Sequence, residues 1–316
     1  MRKDKILVIG ANGQIGSVLT KALRAAFGND AVVATDIRSS IEQAPFELLN
    51  ILEADRLAEI IDRYKITQIY HLAAILSAKG ESNPRGTWNI NMEGLFNVLE
   101  VAIAKQIDKV FFPSSIAVFG TKSPSVATPQ DTILNPTTVY GISKQAGELW
   151  CNYYFERYGL DVRSVRYPGI IGYESAPGGG TTDYAVEIYH EAIKHKQYEC
   201  FLSANTELPM LYMPDAIRGT LQLMEAPEHQ IRSRTSYNLA GMSFSPAEIA
   251  AEIQQFIPEF KISYKPDFRQ KIADSWTKSI DDQEARKDWG WKPNYDLHSM
   301  TENMLENLYK EYKETV

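Results

Sequence analysis

Short, uninterrupted apolar runs alternate with longer amphipathic ones over the first 170 residues. KILVI (5–9) has no polar interruption, the pattern of a strand covered on both faces. AVVATD (31–36), QIYHLAA (68–74), DKVFFPSS (108–115) and DVRSVRY (161–167) predict further strands of the same kind. Between them, SVLTKALRAAF, EADRLAEIIDRY (53–64), a long amphipathic segment over 84–105 and another over 137–158 carry helical periodicity. Strands that alternate with helices pair in parallel and are covered on both faces. The pattern therefore predicts an α/β protein built on a Rossmann, doubly wound parallel sheet.

After Tyr167 the texture changes. PGIIGYESAPGGGTTDYA is rich in Gly, Pro and Thr, and a helix follows it to about Lys196. A helix over 213–225 with Pro214 at its start, a strand over 236–241 and a helix near 296–313 complete the pattern. SPAEIAAEIQQF opens on Ser245 with Glu248 three residues later, a capping box. The expected division is a first domain over 1–170 that carries the parallel sheet and a smaller, discontinuous domain over 171–316. The 236–241 strand is expected to return to the first domain.

Composition narrows the function classes. The chain has 316 residues, 44% of them hydrophobic and 23% charged, and a net charge of −7 with both signs mixed along its length. That balance argues against a basic nucleic-acid-binding face. The apolar run near the start breaks at Gly10, too short for a signal peptide or a membrane span. Cys151 and Cys200 fit a reduced, cytoplasmic chain better than a disulfide framework. Two cysteines 49 apart and five scattered histidines give no metal-ligand spacing, so no metal is expected.

VIGANGQIG sets Gly10, Gly13 and Gly16 directly behind the first strand and at the opening of the first helix. Glycine there lets the backbone turn sharply and lets a pyrophosphate approach, and the helix N-terminus supplies free N–H groups. Asp36 ends the second strand, twenty residues past Gly16. A carboxylate there accepts the ribose hydroxyls of NAD and repels the 2′-phosphate of NADP, with nearby Arg38 softening that preference.

Tyr140 and Lys144 stand four apart in a helical segment and so share a face. Ser114 and Ser115 stand at the C-terminal end of a strand, where open α/β sheets bind ligands. With the glycine loop, HLAA, PSSIAVFG, YGISK and RYPGIIG, in that order, the chain resembles the extended short-chain dehydrogenase/reductase family over residues 10–172. The resemblance implies NAD as cofactor, held by Gly10, Gly13, Gln14, Ile15, Gly16, Asp36, Ile37, Arg38, Leu72, Ala73, Ala74, Asn91, Tyr140, Lys144 and Tyr167. It implies Ser115, Tyr140 and Lys144 as the catalytic set. A free tyrosine is a poor base at neutral pH; an adjacent ammonium, with the positive nicotinamide ring, is expected to lower its pKa. Asn91 matches a helix asparagine that orders such sites, and as a bare residue it also reads as a surface amide.

Three glycines and two threonines before a helix, GGGTTD, make a compact anion site suited to a carboxylate. Asp183 can meet an ammonium there or cap the helix. PGGGTTDYA, ELPMLYMPD, SYNLAGMSFSPAE and DSWTKSIDDQEARKDWGW extend the resemblance to the short-chain-type L-threonine 3-dehydrogenases, from Ile6 to about Trp291. That implies L-threonine as substrate and a pocket of Ser77, Ser115, Tyr140, Gly180, Thr181, Thr182, Asp183 and Trp276. Without the resemblance, Ser77 reads as a loop hydroxyl and Trp276 as core packing. A UDP-sugar 4-epimerase with the same Ser–Tyr–Lys set and a non-catalytic NAD-binding sensor are the competing readings. Aromatic residues on the 84–105 and 137–158 helices, with the resemblance, imply a homodimer built from those two helices.

Overall fold

The computed structural model describes residues 4–39, 45–174, 178 and 180–314. The N-terminal part runs β1 (Ile6–Ile9), α1 (Gln14–Phe27), β2 (Val32–Asp36), β3 (Phe46–Leu48), α2 (Ala54–Tyr64), β4 (Gln68–His71), α3 (Ser77–Gly80), α4 (Pro84–Ala104), β5 (Lys109–Ser115), α5 (Val139–Tyr158) and β6 (Asp161–Tyr167). The chain continues with β7 (Gly169–Ile171), α6 (Tyr184–His195), β8 (Gln197–Cys200), β9 (Leu208–Tyr212), α7 (Met213–Glu225), β10 (Tyr237–Asn238), β11 (Met242–Phe244), α8 (Pro246–Phe256), β12 (Lys261–Tyr264), α9 (Phe268–Ala273), α10 (Gln283–Trp289) and α11 (Leu297–Glu314).

Seven strands form one sheet in the order β10-β6-β5-β4-β1-β2-β3. Every pairing in it is parallel. Alternation along β1 explains why its sequence is apolar throughout: Ile6 and Val8 enter one core, Leu7 and Ile9 the other. The chain order reverses between β1 and β4, so the glycine loop after β1 opens at the switch point where such sheets bind ligands. A third core lies under α6, α8 and α11, with Tyr189, Ile253 and Met304 fully buried. Two small sheets, β11-β9-β7 and β12-β8, accompany it.

The long elements fall where the periodicity puts them. Departures are confined to short ones. The 68–74 strand stops at His71, and the 236–241 strand keeps only Tyr237 and Asn238, which pair with Val165 and Arg166 of β6. The strands β3, β7, β8, β9, β11 and β12 have three to five residues each, too few for a period to register. The capping box is present: Ser245 N–H donates to Glu248 Oε2 at 2.8 Å.

One close approach positions the helix that carries Tyr140 and Lys144. Thr138 caps α5 by accepting from Gly141 N–H at 3.0 Å. A Cβ on Gly141 would stand 2.1 Å from the Ala117 carbonyl oxygen, so the first turn of α5 rests directly on the chain leaving β5. Tyr140 is thereby brought beside Ser115.

Candidate active site

The glycine loop is shaped by backbone. Gly10 has φ +85° and donates to the Thr35 carbonyl at 2.9 Å. A Cβ on Gly16 would stand 2.1 Å from the Gly10 carbonyl oxygen, so only glycine lets α1 begin this close to β1. Asp36 closes the far side, accepting from Asn12 N–H at 3.1 Å and Arg38 N–H at 3.2 Å. Ile37 beside it is 71% exposed, a free apolar face at the end of β2. These features suit a dinucleotide: a tight loop with no side chain in the way, a helix N-terminus behind it and a fixed carboxylate at the end of the neighbouring strand.

One continuous cleft runs from this loop to the substrate side, lined by Gly10, Gly13 and Gly16, then Ser115, Tyr140 and Lys144, then Ser77, Thr181, Thr182 and Trp276. Gln14, Ile15, Leu72, Ala74, Tyr167, Gly180 and Asp183 also line it.

Ser115 and Tyr140 line the same part of the cleft, and the Ser115 hydroxyl is close enough to act on the Tyr140 phenol. Lys144 is buried, donates to the Pro113 carbonyl at 2.6 Å, and lies 5.6 Å from the centre of the Tyr140 ring. In the chain alone burial dominates: it pushes the Tyr140 phenol up to about 12, with the Ser115 hydrogen bond opposing. The lowering expected from Lys144 with the nicotinamide ring is therefore not a property of the protein by itself. Burial likewise draws Lys144 down to about 8, against opposing contributions from Cys151 and Glu148.

On the substrate side, Ser77 Oγ and Thr181 Oγ1 are 3.3 Å apart, joining two loops 104 residues distant in sequence. Asp183 accepts from Gly180 N–H at 2.8 Å, so its carboxylate folds the Gly180–Asp183 loop back on itself and does not cap α6. Trp276 lines the cleft and is 8% exposed, and its buried Nε1–H has no hydrogen-bond partner among the described residues.

Residues 6–240 match the NAD dependent epimerase/dehydratase family. The chain belongs to that family. An epimerase/dehydratase of Staphylococcus saprophyticus, described as uncharacterized, is 47% identical over 96% of this chain and 97% of its own length. The GalE-like L-threonine dehydrogenase of Cupriavidus necator in its holo form is 54% identical, with TM-score 0.95 over 96% of this chain and 99% of that one. The apo form of the same protein gives 0.86 over 97% of this chain and 100% of its own. A monomeric L-threonine 3-dehydrogenase from a metagenome is 49% identical, with TM-score 0.95 over 97% of this chain and 99% of that one.

Some of the residues expected around the cofactor also have structural partners of their own. Asn91 lies outside the cleft: its side chain accepts from Ile75 N–H at 2.8 Å and donates to Ser143 Oγ at 3.1 Å, tying the loop before Ser77 to α5. Tyr167 lines the cleft with its ring, while its hydroxyl turns to Thr220 of α7. Ala73 lies behind Gly10, its backbone N 2.8 Å from where a Cβ on that glycine would be. Leu76, Ile116, Pro168, Gly169 and Ile170 line the cleft without having been singled out. Ile170 had a traceable signal in RYPGIIG, since its carbonyl accepts from Gln14 Nε2 at 3.3 Å and joins the glycine loop to β7.

Proposed function

We propose that the chain is an NAD-dependent L-threonine 3-dehydrogenase, oxidising the threonine β-hydroxyl to give 2-amino-3-oxobutyrate. The observation that carries this reading is the single cleft in which Ser115, Tyr140 and Lys144 stand between the glycine loop and the Ser77–Thr181–Trp276 pocket. The likeness to L-threonine dehydrogenases at 49–54% identity supports it.

Bound NAD supplies the acceptor for the hydride that leaves the substrate carbon. The chain's own residues do the rest. The Gly180–Asp183 loop and the Ser77 and Thr181 hydroxyls receive the amino-acid carboxylate, and the free Trp276 Nε1–H donates into the same pocket. Ser115 accepts or donates at the β-hydroxyl and fixes its direction. Tyr140 takes the hydroxyl proton. A positive charge close to the phenol is what offsets the burial that holds its pKa high, and Lys144 stands one helical turn away with its ammonium anchored on Pro113.

The same reading includes a homodimer through α4 and α5. Met92, Leu99 and Tyr154 are core, but Trp88, Leu149, Trp150 and Tyr153 leave 42%, 61%, 38% and 46% of their surface exposed on those two helices. Two free, buried thiols and no helix among the described residues long and apolar enough to cross a membrane support a cytoplasmic location.

The test is reduced-nicotinamide formation from NAD with L-threonine, L-allo-threonine, L-serine and UDP-galactose in parallel. Turnover is expected with L-threonine. Folded protein that binds NAD and leaves L-threonine unchanged rejects the reading, and turnover of UDP-galactose alone moves it to the epimerases.

A further inference from the structure

Behind Lys144, one turn further along α5, lies a carboxylate the mechanism does not use. Glu148 is 1% exposed. Its Oε1 accepts from Ser114 Oγ at 2.5 Å and from Arg166 Nε at 2.9 Å, and its Oε2 accepts from Arg166 Nη2 at 2.8 Å. Arg166 is itself buried on β6, and its Nη1 donates to the Gln130 carbonyl at 3.0 Å and to Asn238 Oδ1 at 3.1 Å. Asn238 Nδ2 donates onward to the Thr128 carbonyl at 3.2 Å. The Thr128 hydroxyl meets that of Thr277, the residue after Trp276. Thr137, just before the α5 cap, holds Ser275 on the other side of Trp276 at 2.8 Å.

A buried ion pair of this kind is expensive to desolvate, and apolar residues of equal volume would often serve stability as well. Its connections say what else it does. One carboxylate joins the strand that ends in Ser115, the helix that carries Tyr140 and Lys144, and the strand whose arginine connects through Asn238 and Thr128 to the loop holding Trp276.

We propose that Glu148 is a positioning residue for the oxidation, fixing Lys144 and the Ser115 strand in register with the Trp276 loop through Arg166. The kinetic part of this inference rests on the threonine reading. Electrostatics points the same way. The groups in contact with or acting on Lys144 are Tyr140, Glu148 and Cys151 on α5, His71 at the end of β4, and the Phe112 ring and Pro113 carbonyl on β5. Burial pushes the Cys151 thiol far up and draws His71 down to about 3, which leaves both neutral near pH 7. Glu148 is then the nearby carboxylate that favours the Lys144 ammonium.

The experiment compares wild type, E148Q, E148D and the apolar double variant E148M/R166M. Lysine Cε is labelled with ¹³C, and the Lys144 titration is assigned with K144M and followed by NMR. That readout needs no substrate, so a chain inert to L-threonine sinks the threonine reading and leaves this test standing. In E148Q the Lys144 midpoint is expected about one pH unit lower than in wild type. The turnover of L-threonine is expected to fall about 10- to 100-fold, with NAD affinity within about twofold. E148D, which keeps the charge but withdraws from Ser114, is expected to keep the wild-type midpoint and lose about tenfold in kcat. The double variant is expected to recover the thermal midpoint without recovering kcat. An unmoved Lys144 midpoint in E148Q overturns the proposal. So does wild-type kcat in E148D, or a double variant that regains kcat together with stability, since the pair would then be structural only. Should either charge-removing variant fail to fold, E148D decides by its kcat.

Discussion

The two ends of the cleft are built on different principles. The cofactor end is local: Gly10, Gly13 and Gly16 lie within one loop, and Asp36 closes it through the Asn12 and Arg38 amides. Backbone sterics fix its shape, with Ala73 packed behind Gly10 and one long-range tie from Gln14 to the Ile170 carbonyl. The substrate end is assembled from afar. Ser77 meets Thr181 across 104 residues, Thr137 meets Ser275 across 138, and Thr128 meets Thr277 across 149. A site of the first kind fails abruptly when one backbone contact is blocked. A site of the second kind loses affinity by degrees, because each clip carries a share of the geometry.

The contrast can be broken most severely where the two ends meet. Tyr140→Phe removes the proton acceptor and leaves both binding ends intact; L-threonine oxidation is expected to fall about 10³-fold with NAD affinity within about twofold, read by steady-state kinetics and calorimetry. Retained turnover would place the base elsewhere. Gly16→Ala drives a Cβ to 2.1 Å from the Gly10 carbonyl. NAD affinity is expected to drop about 100-fold or more, some 2.7 kcal/mol, and an affinity near wild type would mean the loop yields more readily than its geometry implies. Trp276→Phe keeps an aromatic ring, gives up part of the indole's volume and deletes the Nε1–H that has no partner among the described residues. The KM for L-threonine is expected to rise about tenfold with NAD affinity unchanged, and an unchanged KM would return Trp276 to core packing.

The pH profile is the smallest effect and sharpens the middle of the cleft. Tyr140 is held near 12 in the chain alone, so its phenol is protonated at neutral pH and gains basic character as pH rises. Lys144, near 8, loses its positive charge above that pH. Oxidation is therefore expected to rise from pH 6 towards about 8 and to flatten or fall beyond it. A rate that keeps climbing well past the Lys144 value would remove the ammonium from the mechanism.

The same contrast decides what the sequence disclosed. Gly10, Gly13, Gly16 and Asp36 are readable because their spacing is the constraint itself. Tyr140 and Lys144 are readable because a helix puts residues four apart on one face. Asp183 was ambiguous between an ammonium partner and a helix cap, because a short carboxylate before a helix suits both; the folded loop shows it reaching Gly180. Asn91 carried a motif position but no distance; in the fold it braces Ile75 and Ser143. Glu148 and Arg166 gave no signal at all. Charged residues within a helix and a strand read as solvent-facing until the two elements are stacked and their partners meet. On α4 and α5 the aromatic residues looked alike in sequence; burial separates core Tyr154 from exposed Tyr153.

The most direct test of the central claim is a single turnover with L-threonine deuterated at Cβ and NAD. The account expects the deuterium to appear in the reduced nicotinamide, with the transfer slowed relative to unlabelled L-threonine and nearly abolished in Tyr140→Phe. Folded, NAD-bound protein that moves no deuterium from that carbon would contradict it.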